Sequence, residues 1–111
     1  MAKSTGGMND FLRQAQKQAL DMQKKMSQVQ QDLAQRIVEG AAGGGMVTAL
    51  VNGQREVVAI KISKEVVDPN DVEMLEDLVT AAVSAGLKKA EAMHNEEMSK
   101  LTGGMKIPGL F

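Results

Sequence analysis

His94 is the single histidine of the chain, and cysteine is absent. Chemistry that needs an imidazole or a thiolate therefore has one candidate. Glu91 and His94 have the Glu-x-x-His spacing with which helices ligate di-iron and di-manganese centres. Such a centre also takes inward glutamates from facing helices, and the first long segment carries none before Glu39. His94 is accordingly read as a solvated side chain and not as a ligand. No histidine is placed to act as base for a serine or threonine nucleophile. Acid pairs such as Glu76-Asp77 sit where a helix dipole favours them. The sequence predicts no active site, no metal, no cofactor and no small-molecule substrate.

A second possible chemistry lies in "EGAAGGGMVTALVNGQREV", residues 39–57, where Gly40, Gly43, Gly44 and Gly45 crowd together. A phosphate-binding Walker loop reads GxxxxGK[ST] and leads into a helix. Gly40 and Gly45 have the glycine spacing, but Met46 and Val47 stand where Lys and Ser/Thr belong. The residues after Gly45 alternate like a strand. A dinucleotide loop needs GxGxxG, and the stretch from Gly43 to Thr48 lacks the last glycine. The glycines are read as a bend between strands.

The third candidate is a charged stripe. On a helical wheel with Met8 at zero and about 100° per residue, Arg13, Lys17 and Lys24 fall near 140°, 180° and 160°. Gln28, Gln31 and Gln35 extend the line, and Asp10, Asp21 and Asp32 lie beside it. Lysine and arginine on such a stripe supply charge to phosphates, and glutamine supplies donors. An exposed helix also needs a solvated face, so the stripe by itself leaves both readings open.

These groups need elements to carry them. In "MNDFLRQAQKQALDMQKKMSQVQQDLAQRIV", residues Met8, Leu12, Ala15, Ala19, Met22, Met26, Val29 and Leu33 recur in alternating steps of 4 and 3. That is an a/d seam held over more than three heptads. It predicts a helix over about 9–36, roughly 42 Å long, capped by Asn9 or Asp10. Asp21–Lys25 and Asp32–Arg36 have i,i+4 spacing. So long a helix outruns a small domain, so part of it must project or pair with another helix. "RIVEGA" predicts a first strand, and "MVTALVNGQREVVAIKIS" predicts two more. Val47, Ala49 and Val51 share one face, and Val58, Ile60 and Ile62 share another. Asn52-Gly53 signals a type I′ hairpin. A second helix comes next, with Asp68 as N-cap and Pro69 at its first position. Its apolar stripe is Val72, Leu75, Val79, Ala82 and Gly86, broadened by Leu78, Val83 and Ala90. The fold class is α+β in the order α-β-β-β-α, with a small antiparallel sheet and long projecting helices.

The 111 residues fit one domain, with flexible ends expected at about 1–8 and 99–111. The core is modest for this size, so a partner subunit helps. Together with the seam this predicts a dimer. No apolar run is long enough to span a bilayer, and the start lacks the apolar region of a signal peptide. A cytoplasmic protein without membrane attachment is expected. The net charge of −1 is unevenly spread. Residues 1–38 sum to +3, 39–81 to −5 and 82–111 to +1. Basic ends around an acidic middle suit a localised anionic partner. With two phenylalanines as its aromatic residues, the chain is poorly equipped to stack bases.

The stretches "LRQAQKQALDMQKKMSQVQQDLAQ", "VNGQREVVAIKIS", "VVDPNDVEMLEDLVTAAVSAGLKKAEA" and "GGMKIPGL" resemble the YbaB/EbfC family of bacterial nucleoid-associated DNA-binding proteins. The likeness covers nearly the whole chain, and "DVEMLEDLVTAA" is its most specific element. The resemblance implies a tweezer-shaped homodimer with a central sheet and helical arms projecting at both ends. It implies that the arms grip double-stranded DNA at the nucleoid, and it brings no catalytic residues. The arms would be the N-terminal half of helix one and the C-terminal half of helix two. Charge then nominates Arg13, Lys17, Lys24, Lys25, Lys88 and Lys89 as DNA contacts. The alternative is a dimeric adaptor whose arms hold a protein partner.

Overall fold

A computed structural model describes residues 2–101, with side chains from residue 7 onward. The order is α1 (Ala2–Gln35), β1 (Ile37–Ala42), β2 (Val47–Asn52), β3 (Val57–Ile62), a 3-10 turn (Lys64–Val66) and α2 (Val72–Leu101). The strands form one antiparallel sheet in the order β1-β2-β3. This is the α-β-β-β-α arrangement read from the sequence. Of the ends expected to be flexible, residues 2–8 and 99–101 are helical. Residue 1 and residues 102–111 lie outside the described part.

α2 covers one face of the sheet, chiefly over β1 and β2. Val47, Ala49 and Val51 point into that contact and are fully buried, as their shared face predicts. Ala82, Gly86, Ala90 and Met93 are the buried positions of α2. The helix approaches β1 so closely that a methyl group on Gly40 would overlap the Gly86 nitrogen and the Ala82 oxygen. Val47, Ala49, Val66 and Ala82 form a small buried cluster, to which Leu75, Leu78 and Val79 add partly buried area.

Four local features depart from the sequence reading. α1 begins at Ala2 and not at an Asn9 or Asp10 cap, because extending an existing helix adds a hydrogen bond per residue without a new nucleus. Asp68 and Pro69 belong to a turn closed by the Asp71 N–H donating to the Asp68 carbonyl at 3.0 Å. The cap of α2 is Asp71, whose carboxylate accepts from the Met74 N–H at 3.2 Å. In β3, a register shift sets Val57 opposite Val51 and Ala59 opposite Leu50. Val58 is the extra residue of this bulge, so Val57 takes its expected place in line with Ile60 and Ile62.

The fourth departure is the Asn52-Gly53 hairpin, which is not a two-residue type I′ turn. Three residues separate Asn52 from Glu56, and the left-handed residue is Arg55, at φ 66°. The cause is tertiary. Gly53 abuts the end of α1, where an added methyl group would lie 2.6 Å from the Leu33 carbonyl oxygen. Buried Asn52 holds the loop from inside. Its Oδ1 accepts from the Gln54 and Glu56 N–H groups at 3.0 Å each, and its Nδ2 donates to Glu56 Oε1 at 3.1 Å.

The molecule is elongated, 84 × 26 × 17 Å. Its radius of gyration is 22.4 Å, against about 13 Å for a compact domain of this length. The difference is α1, about 51 Å long at 1.5 Å per residue, which leaves the sheet as an arm.

Candidate nucleic-acid interface

The arm begins where α1 leaves the body. Leu33 is fully buried and Val29 half-buried, but every residue from 7 to 28 is exposed. The seam is exposed with the rest: Met8 is 64% accessible, Leu12 50% and Met22 46%. The expected projection is thus present, and among the described residues nothing covers the a/d stripe of the arm.

A joint holds the arm to the body. The last carbonyls of a helix lack partners within it, and here the β2–β3 loop supplies them. The Gly53 N–H donates to the carbonyls of Leu33 at 2.8 Å and Arg36 at 3.1 Å. Gln54 Nε2 donates to the Gln30 carbonyl at 2.9 Å. On the other side, Arg36 Nη1 donates to Glu97 Oε1 of α2 at 2.9 Å. The guanidinium is the main reason that the Glu97 carboxyl lies below its ordinary pKa; nearby Lys100 adds to the effect. Arg36 therefore serves the joint and not the Asp32 pair that its spacing suggested. No ion pair joins Asp21 and Lys25 either. Among the described residues the ion pairs are Arg36–Glu97 and those of Lys100 with Glu96 and Glu97. Exposed i,i+4 charges gain little from a fixed geometry in water.

The structure divides the nominated residues into two groups. Arg13, Lys17, Lys24 and Lys25 are exposed on the arm and are in no ion pair among the described residues. Arg13, Lys17 and Lys24 succeed one another by about 6 Å and 10.5 Å of axial rise on the side away from the seam. Lys88 and Lys89 are also exposed, but they stand between Gly86 and Ala90, which are buried against the sheet. That places them on the body and not on a projecting arm. They lie about 14 Å of helix before Glu97, and Lys24 lies about 18 Å of helix before Arg36. The buried positions of α2 run from Ala82 to Met93, and its C-terminal stretch meets Arg36, at the end of α1, through Glu97.

The other sequence candidates have local explanations. Gly43, Gly44 and Gly45 all have positive φ, at 63°, 66° and 91°, in the turn that pairs Ala42 with Val47. A strand comes after this turn. The adjoining groove is lined by Asp71, Glu73 and Asp77, whose charge repels phosphate. His94 is half-buried and Glu91 exposed. Among the described residues no three His, Cys, Asp or Glu side chains cluster as metal ligands. No helix there is long and apolar enough to cross a membrane.

Gln54 and Glu97, which complete the joint, have no signal in the sequence. Asn52-Gly53 carried a signal, but of a turn and not of a helix dock. The Arg36–Glu97 contact spans 61 residues and has no local signature.

Residues 5–105 match the model of the YbaB/EbfC DNA-binding family. A nucleoid-associated protein of Caldanaerobacter subterraneus is 56% identical over 95 residues, 86% of each chain. One from Alkaliphilus metalliredigens is 52% identical over 104 residues, 94% of this chain and 88% of its own. Among solved structures, an uncharacterized protein of Helicobacter pylori superposes with a TM-score of 0.69 at 28% identity. The superposition covers 77% of this chain and 90% of that one.

Proposed function

This chain belongs to the YbaB/EbfC DNA-binding family, and we propose that it works as a homodimer gripping duplex DNA through its basic α1 arms at the bacterial nucleoid. The observation that carries the reading is the arm itself. It is exposed on all sides over residues 7–28, with an apolar seam on one side and, on the other, cations in no ion pair among the described residues. A second copy is the natural cover for the seam, since helices with a/d stripes bury them against one another. Ile60 and Ile62, on the α2-facing side of β3 but beyond its reach, are each 42% exposed and add apolar area for the same purpose. Pairing the seams would leave Arg13, Lys17 and Lys24 facing outward to phosphates, with Lys25 on the flank of the seam. Lys88 and Lys89 then provide positive charge on the body, for a duplex that extends past the arms. Nothing in this scheme requires bond-making chemistry, and the family is known by DNA binding and not by an enzymatic reaction.

The test is a duplex gel shift across salt concentrations, with sedimentation of the free protein. The proposal expects a dimer whose affinity falls steeply with salt, because each neutralised phosphate releases counterions. A stable monomer at micromolar concentration would remove the homodimer. A dimer that ignores DNA at low salt would favour the adaptor reading.

A further inference from the structure

A groove of about 560 Å³ lies where the glycine turn meets the start of α2. Its floor is apolar, built from Ala42, Met74, Leu78 and Ala81, and its rim is acidic, with Asp71, Glu73 and Asp77. Gly43 keeps the floor open, since a methyl group there would lie 2.9 Å from Leu78. Apolar exposure continues beside the groove at Val67 and Val72, 54% and 52% accessible. No basic residue lines it.

We propose that this groove receives residues 102–111 of a second copy of the chain, an inference that rests on the homodimer proposed above. That segment, "TGGMKIPGLF", offers Met105, Ile107, Leu110 and Phe111 to an apolar floor and Lys106 to an acidic rim, and it holds no Asp or Glu. Pro108 restricts the backbone beside Ile107, which lowers the entropy lost on docking. The segment cannot serve its own groove. Leu78 stands 23 residues before Leu101 on α2, about 34 Å along the helix. Six residues lead from Leu101 to Ile107, a reach of about 20 Å at full extension. All ten residues, drawn straight, would bring only Phe111 to Leu78. Residues 102–111 seated along this groove as far as Met74 therefore belong to another chain.

The absence of native cysteine makes the test direct. Met74→Cys with Ile107→Cys is oxidised and run on a non-reducing gel, beside each single variant. A second pair, Asp77→Cys with Lys106→Cys, guards against a local loss of packing at Met74. Docking in trans predicts disulfide-linked dimers severalfold above the single variants for at least one pair, and a lower yield for the first pair when Lys106→Glu is added. No gain for either pair in a protein that sediments as a dimer overturns the docking and leaves the homodimer standing. Sedimentation as a monomer overturns both. A cross-link within one chain overturns the assignment to a second copy.

Discussion

Reversing Arg13, Lys17 and Lys24 to Glu removes the stripe opposite the seam without touching the joint. All three side chains are exposed, and none is in an ion pair among the described residues. If each meets one phosphate, a dimer loses six contacts. The slope of log affinity against log salt should then flatten by roughly 5, at 0.9 per phosphate. Over a fourfold rise in salt, the parent would lose about a thousandfold in affinity through these contacts alone. The variant has no such attraction to lose, and its binding should be weak at every salt concentration. The effect should be the same for all duplex sequences, because phosphate contacts carry no base information. Stability should change by no more than about 0.5 kcal/mol per site. The assay is fluorescence anisotropy with labelled duplexes over a salt series, with circular dichroism as the folding control. A folded variant that keeps the parent's affinity and slope would show the stripe to be a solvated face. A change of sequence preference in its place would mean that these side chains read base edges.

Two glycines should behave oppositely. Gly40→Ala drives a methyl group into the backbone of α2 and should cost at least about 3 kcal/mol in urea unfolding, the top of the usual range for overpacking. Gly44→Ala meets open space and should cost about 1 kcal/mol from its positive φ alone, with DNA affinity unchanged. Met22→Asp with Met26→Asp, on the arm's seam, should dissociate the dimer in sedimentation by burying unpaired charge, while the sheet and α2 stay folded. For the joint, the depressed pKa of Glu97 gives the sign of its pH dependence. The contact's contribution is fully present above the unfolded carboxyl's pKa and is lost as pH falls through the lower folded value. Arg36→Ala should raise the Glu97 pKa toward its ordinary value in a carboxyl-detected NMR titration and reduce that acid-side loss. An unchanged titration would mean that Lys100 alone holds the carboxylate.

Periodicity and local chemistry settled much of this protein before any tertiary contact was known. The alternating steps from Met8 to Leu33 determine a long amphipathic helix, because side chains three and four apart share a face. The alternation of Val47, Ala49 and Val51 determines a half-buried strand, and the missing Lys and Ser/Thr after Gly45 exclude a phosphate loop. The segregation of basic ends from an acidic middle is likewise a property of the sequence. What only the tertiary structure decided is where each element meets another. Gly53 looks like the second residue of a tight turn, yet its N–H and bare α-carbon serve the end of α1, and the left-handed residue moves to Arg55. Arg36 looks like the partner of Asp32 and is claimed by Glu97. Lys88 and Lys89 look like arm residues, but the burial of Gly86 and Ala90 ties their stretch of α2 to the sheet. Local propensities act over a turn or a strand pair, whereas these outcomes depend on contacts between segments tens of residues apart. They become visible only when packing brings the segments together.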